Sequence, residues 1–375
     1  MTGRRAKRVR RWLVLASAVA GVGLTATLVT HHRQARHEAH LQRLRHDGLA
    51  AYQAGDFAVT VAKLDPYLAE HDTDAAALLP FALARAKVET PDGQHLRVAV
   101  RSLNQILSLD ASQTAARHAL LDLLPRTTDT DELERVVEEA LAVDAADVAA
   151  LREKVTVRLR QDRPAEALAA ARVYAAAVPS DLDAHVTVLR LMDRQRQPAA
   201  ELRTYAGSAF AAGDPRRGLL RAVAETAAGD ADAALTALQG VTDAAAADAG
   251  LARQAVTVFD LLGRFVEARR LLESAVDKTR DADLVRLLAM RLWQAGDCTR
   301  LIQSQLPFDA DDSLLLGLRA ASLYQAGRPA DARQLVARIA ARRDRAAAAW
   351  AIALPARFES DKPINALQKA VAKDA

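Results

Sequence analysis

The sequence predicts an all-helical protein built from repeated helical hairpins, and three observations support this fold class. Alanine is the commonest of the 375 residues, while glycine and proline number only 16 and 12. Alanine loses no side-chain entropy in a helix, and its small side chain lets neighbouring helices approach closely. No long run of β-branched residues alternates with polar ones, as a half-buried strand would require. Finally, a short polar turn recurs at intervals of 31 to 34 residues.

The recurring turn has the composition that separates two helices. A glycine can adopt the left-handed conformation that ends a helix, and a proline two residues later suits the first turn of the next helix. Weaker copies near Gly93 and Asp129 extend the series towards the N-terminus. The clear turns begin at Gly55, Asp162, Arg196, Gly229, Gly263, Gly296, Gly327 and Asp361. Each turn predicts a helix–turn–helix unit, and such pairs must stack because one pair alone cannot bury its apolar face.

The turn and its spacing resemble the tetratricopeptide repeat (TPR). Small residues occupy the family's small position in the second helix at Ala167, Ala234, Ala268, Ala332 and Ala366. Gly48 and Pro179 match the family's other small and proline positions in single repeats. In other repeats the same position holds the larger residues Thr60, Glu201 and Leu301, so a related two-helix solenoid remains an alternative. The resemblance implies a right-handed superhelical solenoid of about eight or nine repeats over residues 46–375, with the first helices lining its concave side.

The N-terminal segment predicts a single membrane-spanning helix. Trp12–Val29 is an uncharged stretch of eighteen residues, close to the length that spans a bilayer, and Trp12 lies at its boundary. Six basic residues precede the stretch, at Arg4, Arg5, Lys7, Arg8, Arg10 and Arg11. This concentration of positive charge before the apolar stretch predicts a cytoplasmic tip over residues 1–11 and a transmembrane helix over 12–30. The solenoid would then lie on the outer side of the membrane. A cleaved signal peptide is the alternative, and Ala18-Val19-Ala20 has the small-residue form of a cleavage site.

The setting expected from the sequence is a bacterial plasma membrane, with the solenoid in the periplasm. Arginine outnumbers lysine 43 to 8, a bias that suggests a high-GC bacterial genome. Residues 31–45 then form a juxtamembrane linker or helix, and residues 31–46 contain five of the nine histidines of the chain. His37 and His40 would share a helix face, but the spacing places no third metal ligand beside them. The sequence therefore predicts a solvated segment and no metal site.

The charge distribution argues against a nucleic-acid partner. The net charge of the chain is +4, but the residues after the basic tip contain 45 basic and 47 acidic side chains. A protein that binds phosphate backbones needs basic residues on its folded body. The tip instead precedes an apolar stretch, where basic residues act as a topology signal.

The sequence contains no motif that predicts catalysis or a cofactor. It has no G-x-S-x-G, no phosphate-binding glycine loop and no H-E-x-x-H. The single cysteine, Cys298, follows a repeat turn without a base that could activate it, and a small core residue is the simpler interpretation. The chain is therefore predicted not to be an enzyme. The alternative is that it forms the non-catalytic repeat region of a larger or multi-subunit enzyme system.

The predicted function is a membrane-anchored scaffold that binds protein segments or assembles a complex at the cell envelope. Projecting the first helices inward from each turn gives a candidate peptide groove that is rich in arginine. Guanidinium groups bind carboxylates in a bidentate manner, so the expected ligand is an acidic peptide segment. The competing interpretation is that these arginines pair with acidic residues on neighbouring helices. The candidate lining is Arg45, Tyr52, Gln53, Arg152, Arg160, Arg190, Asp193, Arg194, Arg253, Asp260, Arg286, Trp293, Gln294, Tyr324 and Gln325.

Overall fold

The computed structural model describes residues 31–88, 90, 94–303 and 312–340. All regular secondary structure in these ranges is helical, and no strand occurs in them. The helices follow one another as hairpins. They are α1 (31–53) and α2 (Phe57–Leu68), α3 (Ala75–Lys87) and α4 (Gln94–Leu109), α5 (Thr114–Leu123) and α6 (Thr130–Val143), α7 (Val148–Arg160) and α8 (Pro164–Ala177), α9 (Leu182–Arg194) and α10 (Ala199–Ser208), α11 (Pro215–Ala227) and α12 (Ala231–Gln239), α14 (Ala249–Leu261) and α15 (Phe265–Thr279), α16 (Ala282–Gln294) and α17 (Cys298–Gln303), and α18 (Ser313–Gln325) and α19 (Pro329–Ala340).

Two additions interrupt the regular series. A short 3₁₀ helix, Leu124–Arg126, follows α5, and a four-residue helix, α13 (Thr242–Ala245), lies between α12 and α14. Contacts between Cα atoms divide the chain into two compact units. The first combines Met1–Val88 with Arg97–Gln113, and the second combines Glu89–Leu96 with Thr114–Ala375. In the described part of the second unit, consecutive helices pack on one another as a TPR-like array of hairpins.

The turns between paired helices confirm the conformation expected from the sequence. Gly55, Gly229, Gly263, Gly296 and Gly327 all have positive φ angles, between 71° and 79°. Asp162 and Arg196 take the same left-handed conformation, with φ of 53° and 55°. At each turn two backbone N–H groups bond back to carbonyls three and five residues earlier, as Gly229 N does to Thr226 O and Asp230 N to Glu225 O. This Schellman arrangement satisfies the last carbonyls of the first helix and fixes where the second begins.

Aspartate begins most of the helices. Its carboxylate accepts a hydrogen bond from a backbone N–H in the first turn of the helix, which satisfies a donor that has no partner within the helix. Such N-caps stabilise a protein by about 1 kcal/mol each. The pattern explains much of the aspartate content that the sequence showed without an assigned role. The capping residues in the described ranges include Asp56, Asp74, Asp129, Asp147, Asp181, Asp214, Asp230, Asp248, Asp281 and Asp312.

The small position of the second helix is buried in most hairpins. Ala167, Ala234, Ala268 and Ala332 have no exposed surface, and neither do the departures Thr60 and Leu301. Glu201 is exposed, and Leu202 is buried in its place. The reason is a shift of register: α10 begins after Pro198, one residue later relative to its turn than α12 begins after Asp230. Ala366 lies outside the described residues, as does the turn at Asp361.

Gly48 shows why the first helix needs a small residue. It is buried on α1, and a Cβ at this position would lie 2.7 Å from Leu64 Cδ2 on α2. Leu64 is itself fully buried, so the clash could not be relieved by moving its side chain into solvent. The close approach of α1 and α2 therefore depends on the absence of a side chain at Gly48.

The predicted membrane span at residues 12–29 and the basic tip before it lie outside the described residues. Within the described ranges, none of the helices has both the length and the apolar character that crossing a bilayer requires. Residues 31–45, predicted as a linker or helix, lie on α1 together with residues 46–53.

Candidate functional site

In the first unit, Arg45 participates in helix packing. Its Nε donates to Asp74 Oδ2 over 2.7 Å, and the hydroxyl of Tyr67 donates to the same oxygen over 2.9 Å. The hydrogen bond to Asp74 raises the pKa of Arg45 above its ordinary value. Burial disfavours the charged form of Asp74, but the hydrogen bonds from Arg45 and Tyr67 outweigh it and lower the pKa of this carboxyl. Arg45 thus connects α1 to the start of α3.

The other two candidate residues of the first unit lie near the turn between α1 and α2. The ring of Tyr52 packs edge-to-face on Phe57, with 6.1 Å between ring centroids. Lys87 Nζ lies 4.6 Å from the centroid of the same Phe57 ring. Gln53 is exposed on the last turn of α1. These residues form a small aromatic contact that is partly open to solvent.

Three candidate arginines of the second unit bind neighbouring helices or loops. Arg152 donates to the buried carboxylate of Glu153, the next residue of α7, over 2.8 Å, which raises the pKa of Arg152. Its Nη2 also lies 3.5 Å from Asp122 Oδ1 on α5. Arg160 donates to the backbone carbonyls of Pro125 and Thr127, beside the 3₁₀ helix. Arg194 lies 3.7 Å from a carboxylate oxygen of Asp162, at the preceding turn. Asp193 is exposed on α9. Arg152 and Arg194 thus lie beside carboxylates of other elements, as the competing interpretation expected, whereas Arg160 bonds backbone carbonyls.

Arg190 and Arg253 meet in a bridge between α9 and α14. Arg253 Nη2 donates to Asp183 Oδ2 over 2.7 Å, and Gln254 Nε2 donates to Asp183 Oδ1 over 2.8 Å. Arg190 Nη2 in turn donates to the amide oxygen of Gln254 over 3.0 Å. Helices α9 and α14 belong to the first and the third of three consecutive hairpins. In a regular solenoid, by contrast, each repeat contacts only its immediate neighbours.

The bridge joins the two helices that flank α11. This helix contacts both α9 and α14, and Val223 on it is only 9% exposed. Met290, two first helices further along the chain, corresponds in register to Val223 and is 39% exposed. The space between first helices is therefore closed at α11 and accessible at α16.

A groove opens between the first helices α14 and α16, and we call it the first-helix groove. Its volume is about 550 Å³. Two of the sequence-predicted arginines, Arg253 and Arg286, border it, so the structure brings these two to one surface. Arg291 joins them from the adjacent turn of α16. The groove is lined by Ala249, Gly250, Arg253, Thr257, Asp281, Asp283, Leu284, Arg286, Leu287, Met290 and Arg291.

The arginines of the groove keep unused hydrogen-bond donors. Arg286 donates through Nε to Asp312 over 2.6 Å and through Nη1 to Asp283 over 3.0 Å, and the bond to Asp312 raises its pKa. Arg253 uses a single nitrogen, on Asp183. Because a guanidinium has five N–H donors, both side chains can still donate to a ligand carboxylate.

A larger cavity of about 940 Å³ adjoins the groove on the side of the hairpin turns, and we call it the turn-side cavity. It shares Leu287, Met290 and Arg291 with the groove, and it also contains the predicted Gln294. The lining comes from the end of α14, the start of α15, the second half of α16 and α17. Its residues are Asp260, Phe265, Val266, Arg269, Arg270, Glu273, Leu287, Met290, Arg291, Gln294, Ala295 and Arg300.

The remaining candidates belong to the packing around α16 and α18. Trp293 is partly buried and packs against the apolar clusters of both helices. Tyr324 is only 7% exposed. Cys298 lies partly buried at the start of α17. Its thiol donates a hydrogen bond to the side-chain oxygen of Gln325 over 2.6 Å. Asp260 receives two hydrogen bonds from Arg291, which links α14 to α16.

Sequence reasoning did not find the second-helix contribution to this region. Phe265 and Val266, the first residues of α15, and Arg269, Arg270 and Arg300 all lie in the turn-side cavity. The lining predicted from the sequence included only residues of first helices. Residues that follow the turn were assigned to the turn itself or to the second helix. The signal that could have shown them is two adjacent bulky apolar residues directly after Gly263-Arg264.

No group of three or more metal-ligating side chains occurs in the part of the chain that the structure describes. His37, from the histidine-rich start of α1, instead lies with Nε2 2.7 Å from Glu70 Oε1. His71, in the loop after α2, lies with Nε2 3.3 Å from Glu38 Oε1 on α1.

Comparison with known proteins gives matches among solved structures alone. No protein-family model matches the chain, and no curated protein matches it. The chain is similar to YrrB, a TPR protein with an unusual peptide-binding site, at 18% identity and a TM-score of 0.29, over 49% of this chain and 96% of YrrB. It is similar to PilW, a type IV pilus biogenesis factor, at 16% identity and a TM-score of 0.37, over 58% and 98% of the two chains. A TPR protein of Parabacteroides merdae matches at 10% identity and a TM-score of 0.33, over 89% and 99%. Scores in this range carry no argument about ligand or partner, so the TPR-like character of the fold rests on the hairpins themselves.

Proposed function

We propose that this protein is a scaffold that binds acidic segments of partner proteins in the first-helix groove. One observation carries the proposal: Arg253 and Arg286 border an accessible groove between two first helices and retain free donors, and Arg291 lines the groove beside them. Carboxylates receive strong, charge-assisted hydrogen bonds from such guanidinium groups. The exposed Met290 lies among them and offers apolar contact to the same ligand.

The proposal assigns binding to this site and no reaction. The titratable groups of the groove are arginines and aspartates held in ion pairs or helix caps. Among its lining residues there is no nucleophile beside a base, which covalent catalysis would need. A helical-repeat surface of this kind supports the assembly of partners.

Peptide titration tests the ligand class. The full chain in detergent is titrated with a short peptide rich in Asp and Glu, and with a matched peptide rich in Lys and Arg. We expect the acidic peptide to bind more tightly than the basic one. Arg286→Ala should weaken acidic-peptide binding by roughly 10- to 100-fold, because one charge-assisted hydrogen bond contributes about 1.5–3 kcal/mol. Arg172→Ala, which removes an exposed arginine from α8, is the matched control and should change nothing. Equal binding of both peptides would contradict the proposal.

We further propose that the scaffold is held at a bacterial plasma membrane by residues 12–30, with the repeats on the periplasmic side. The uncharged stretch and the six basic residues before it support this placement. Alkaline carbonate extraction of membranes should leave the full chain in the pellet. A reporter fused after Ala375 should be active only outside the cytoplasm. Release by carbonate together with a shortened chain would favour signal cleavage, and a cytoplasmic reporter signal would overturn the orientation.

A further inference from the structure

The turn-side cavity contains exposed apolar side chains close together, which is rare on the surface of a soluble protein. Phe265 and Val266, which are adjacent in sequence, are 65% and 61% exposed. Met290 on the facing helix is 39% exposed. All three line the same cavity. Contiguous exposed apolar groups rimmed by polar ones mark sites of protein interaction. The cavity therefore contains a patch of exposed apolar side chains.

The rim of this cavity carries an excess of positive charge. Its lining contains the four arginines Arg269, Arg270, Arg291 and Arg300 and the two carboxylates Asp260 and Glu273. Asp297, just outside the lining, adds a third carboxylate by pairing with Arg269 over 2.8 Å. The excess remains positive after this pairing, so the rim is complementary to an acidic partner.

The ion pairs at the rim leave donors for a ligand. Glu273 Oε1 accepts from both Arg269 over 2.9 Å and Arg300 over 2.7 Å, so two guanidinium groups share one oxygen. Arg270 is exposed and makes no ion pair with any described residue. A carboxylate that enters the cavity would meet Arg270 and the open sides of Arg269 and Arg300.

We infer that the turn-side cavity binds one bulky apolar side chain, of the size of phenylalanine, that is flanked by carboxylates in the bound segment. This inference rests on the proposed function, since the cavity continues the first-helix groove through Leu287, Met290 and Arg291. The partner segment would place acidic residues on the arginines and insert its apolar residue between α15 and α16. Phe265, Val266 and Met290 then contact that side chain.

The test compares two synthetic peptides on the full chain. Both are rich in Glu and Asp, and one carries a single Phe where the other carries Ala. Full burial of a Phe side chain predicts a preference for the Phe peptide of roughly 10- to 100-fold. Val266→Ser should reduce this preference while leaving the affinity for the Ala peptide unchanged. Val173→Ser, at a similarly exposed valine on α8, is the matched control and should preserve the preference.

Each outcome decides between the two proposals. If both acidic peptides bind equally, the inference about the turn-side cavity is wrong, and binding of acidic segments in the first-helix groove stands. If neither binds, or if basic peptides bind as well, the proposed function fails and the inference fails with it. Self-association is measured by sedimentation at increasing protein concentration. Dimerisation that Val266→Ser abolishes would assign the cavity to a second copy of the chain and overturn the inference. If Val266→Ser fails to fold, Phe265→Ser, at an equally exposed residue, replaces it.

Discussion

The bridge between α9 and α14 makes a quantitative prediction for Asp183→Ala. The carboxylate of Asp183 accepts hydrogen bonds from Arg253 and Gln254 and holds two first helices that are separated by a third. Gln254 is only 9% exposed, so its amide cannot easily be rehydrated once the carboxylate is removed. Asp183 also lies in the first turn of α9, where a negative charge favours the helix dipole.

The structure sets the size of the effect. The side chains of Asp183 and Arg253 are both 48% exposed, so their ion pair contributes about 0.2–1 kcal/mol. Leaving the buried Gln254 amide without its acceptor costs about 1–2 kcal/mol, and the loss of the first-turn charge about 0.3–1 kcal/mol. Together these predict a loss of about 1.5–4 kcal/mol in the free energy of unfolding. Asp232→Ala is the control, because Asp232 is a first-turn carboxylate of α12 outside the bridge, and it should cost less than about 1 kcal/mol.

The assay combines urea unfolding with titration of an acidic peptide. Asp183→Ala should lower the unfolding midpoint more than Asp232→Ala does. It should also raise the affinity for the acidic peptide a few-fold, because Arg253 no longer has a competing carboxylate within the protein. If the two variants shift the midpoint equally and Asp183→Ala leaves peptide affinity unchanged, then the bridge neither holds the helices nor competes with ligand.

Three further predictions concern helix packing away from the groove. Gly48→Ala should lower stability by about 1–2 kcal/mol through overpacking, whereas Gly207→Ala, on an open helix surface, should raise it by about 0.5–1 kcal/mol, both measured by urea unfolding. Asp74 has a lowered pKa when folded, so its stabilising effect is present above about pH 4 and is lost as the pH falls further; unfolding measured against pH should show a weaker acid dependence for Asp74→Asn. Tyr205→Phe should cost about 1 kcal/mol, because the partly buried hydroxyl lies 2.8 Å from His185 Nδ1. A thermal melt with no shift would contradict that role.

The fold could be predicted from the sequence because its signals are local. Gly229 or Gly263 ends a helix through its own backbone freedom, and the alanine five residues later is buried because two paired helices cross there. The capping aspartates could not be identified from the sequence, because aspartate is a common residue and most of its positions do not cap a helix. The register shift at Pro198 depends on where a single helix begins, and spacing alone does not specify that residue.

The candidate site could be predicted only in part, because it depends on how hairpins curve relative to one another. Arg253 and Arg286 were found, since first helices face a common side in any stacked array of this type. The closure at α11 was not, because the contact between Asp183 and Gln254 joins residues 71 positions apart in non-consecutive repeats. The turn-side cavity was also missed, since Phe265 reads in sequence as an apolar start to a buried helix.

Site-specific photocrosslinking tests the central claim most directly. A photoreactive residue replaces Met290, on the wall shared by the groove and the cavity, or Val173 as an exposed control on α8. The full chain is irradiated with an acidic peptide, and the crosslinked residues are identified by mass spectrometry. If acidic segments bind between α14 and α16, position 290 should crosslink to the peptide, position 173 should not, and an unlabelled acidic peptide should compete. Equal yields at the two positions, or a yield at 290 that competitor does not reduce, would show that this groove is not the binding site.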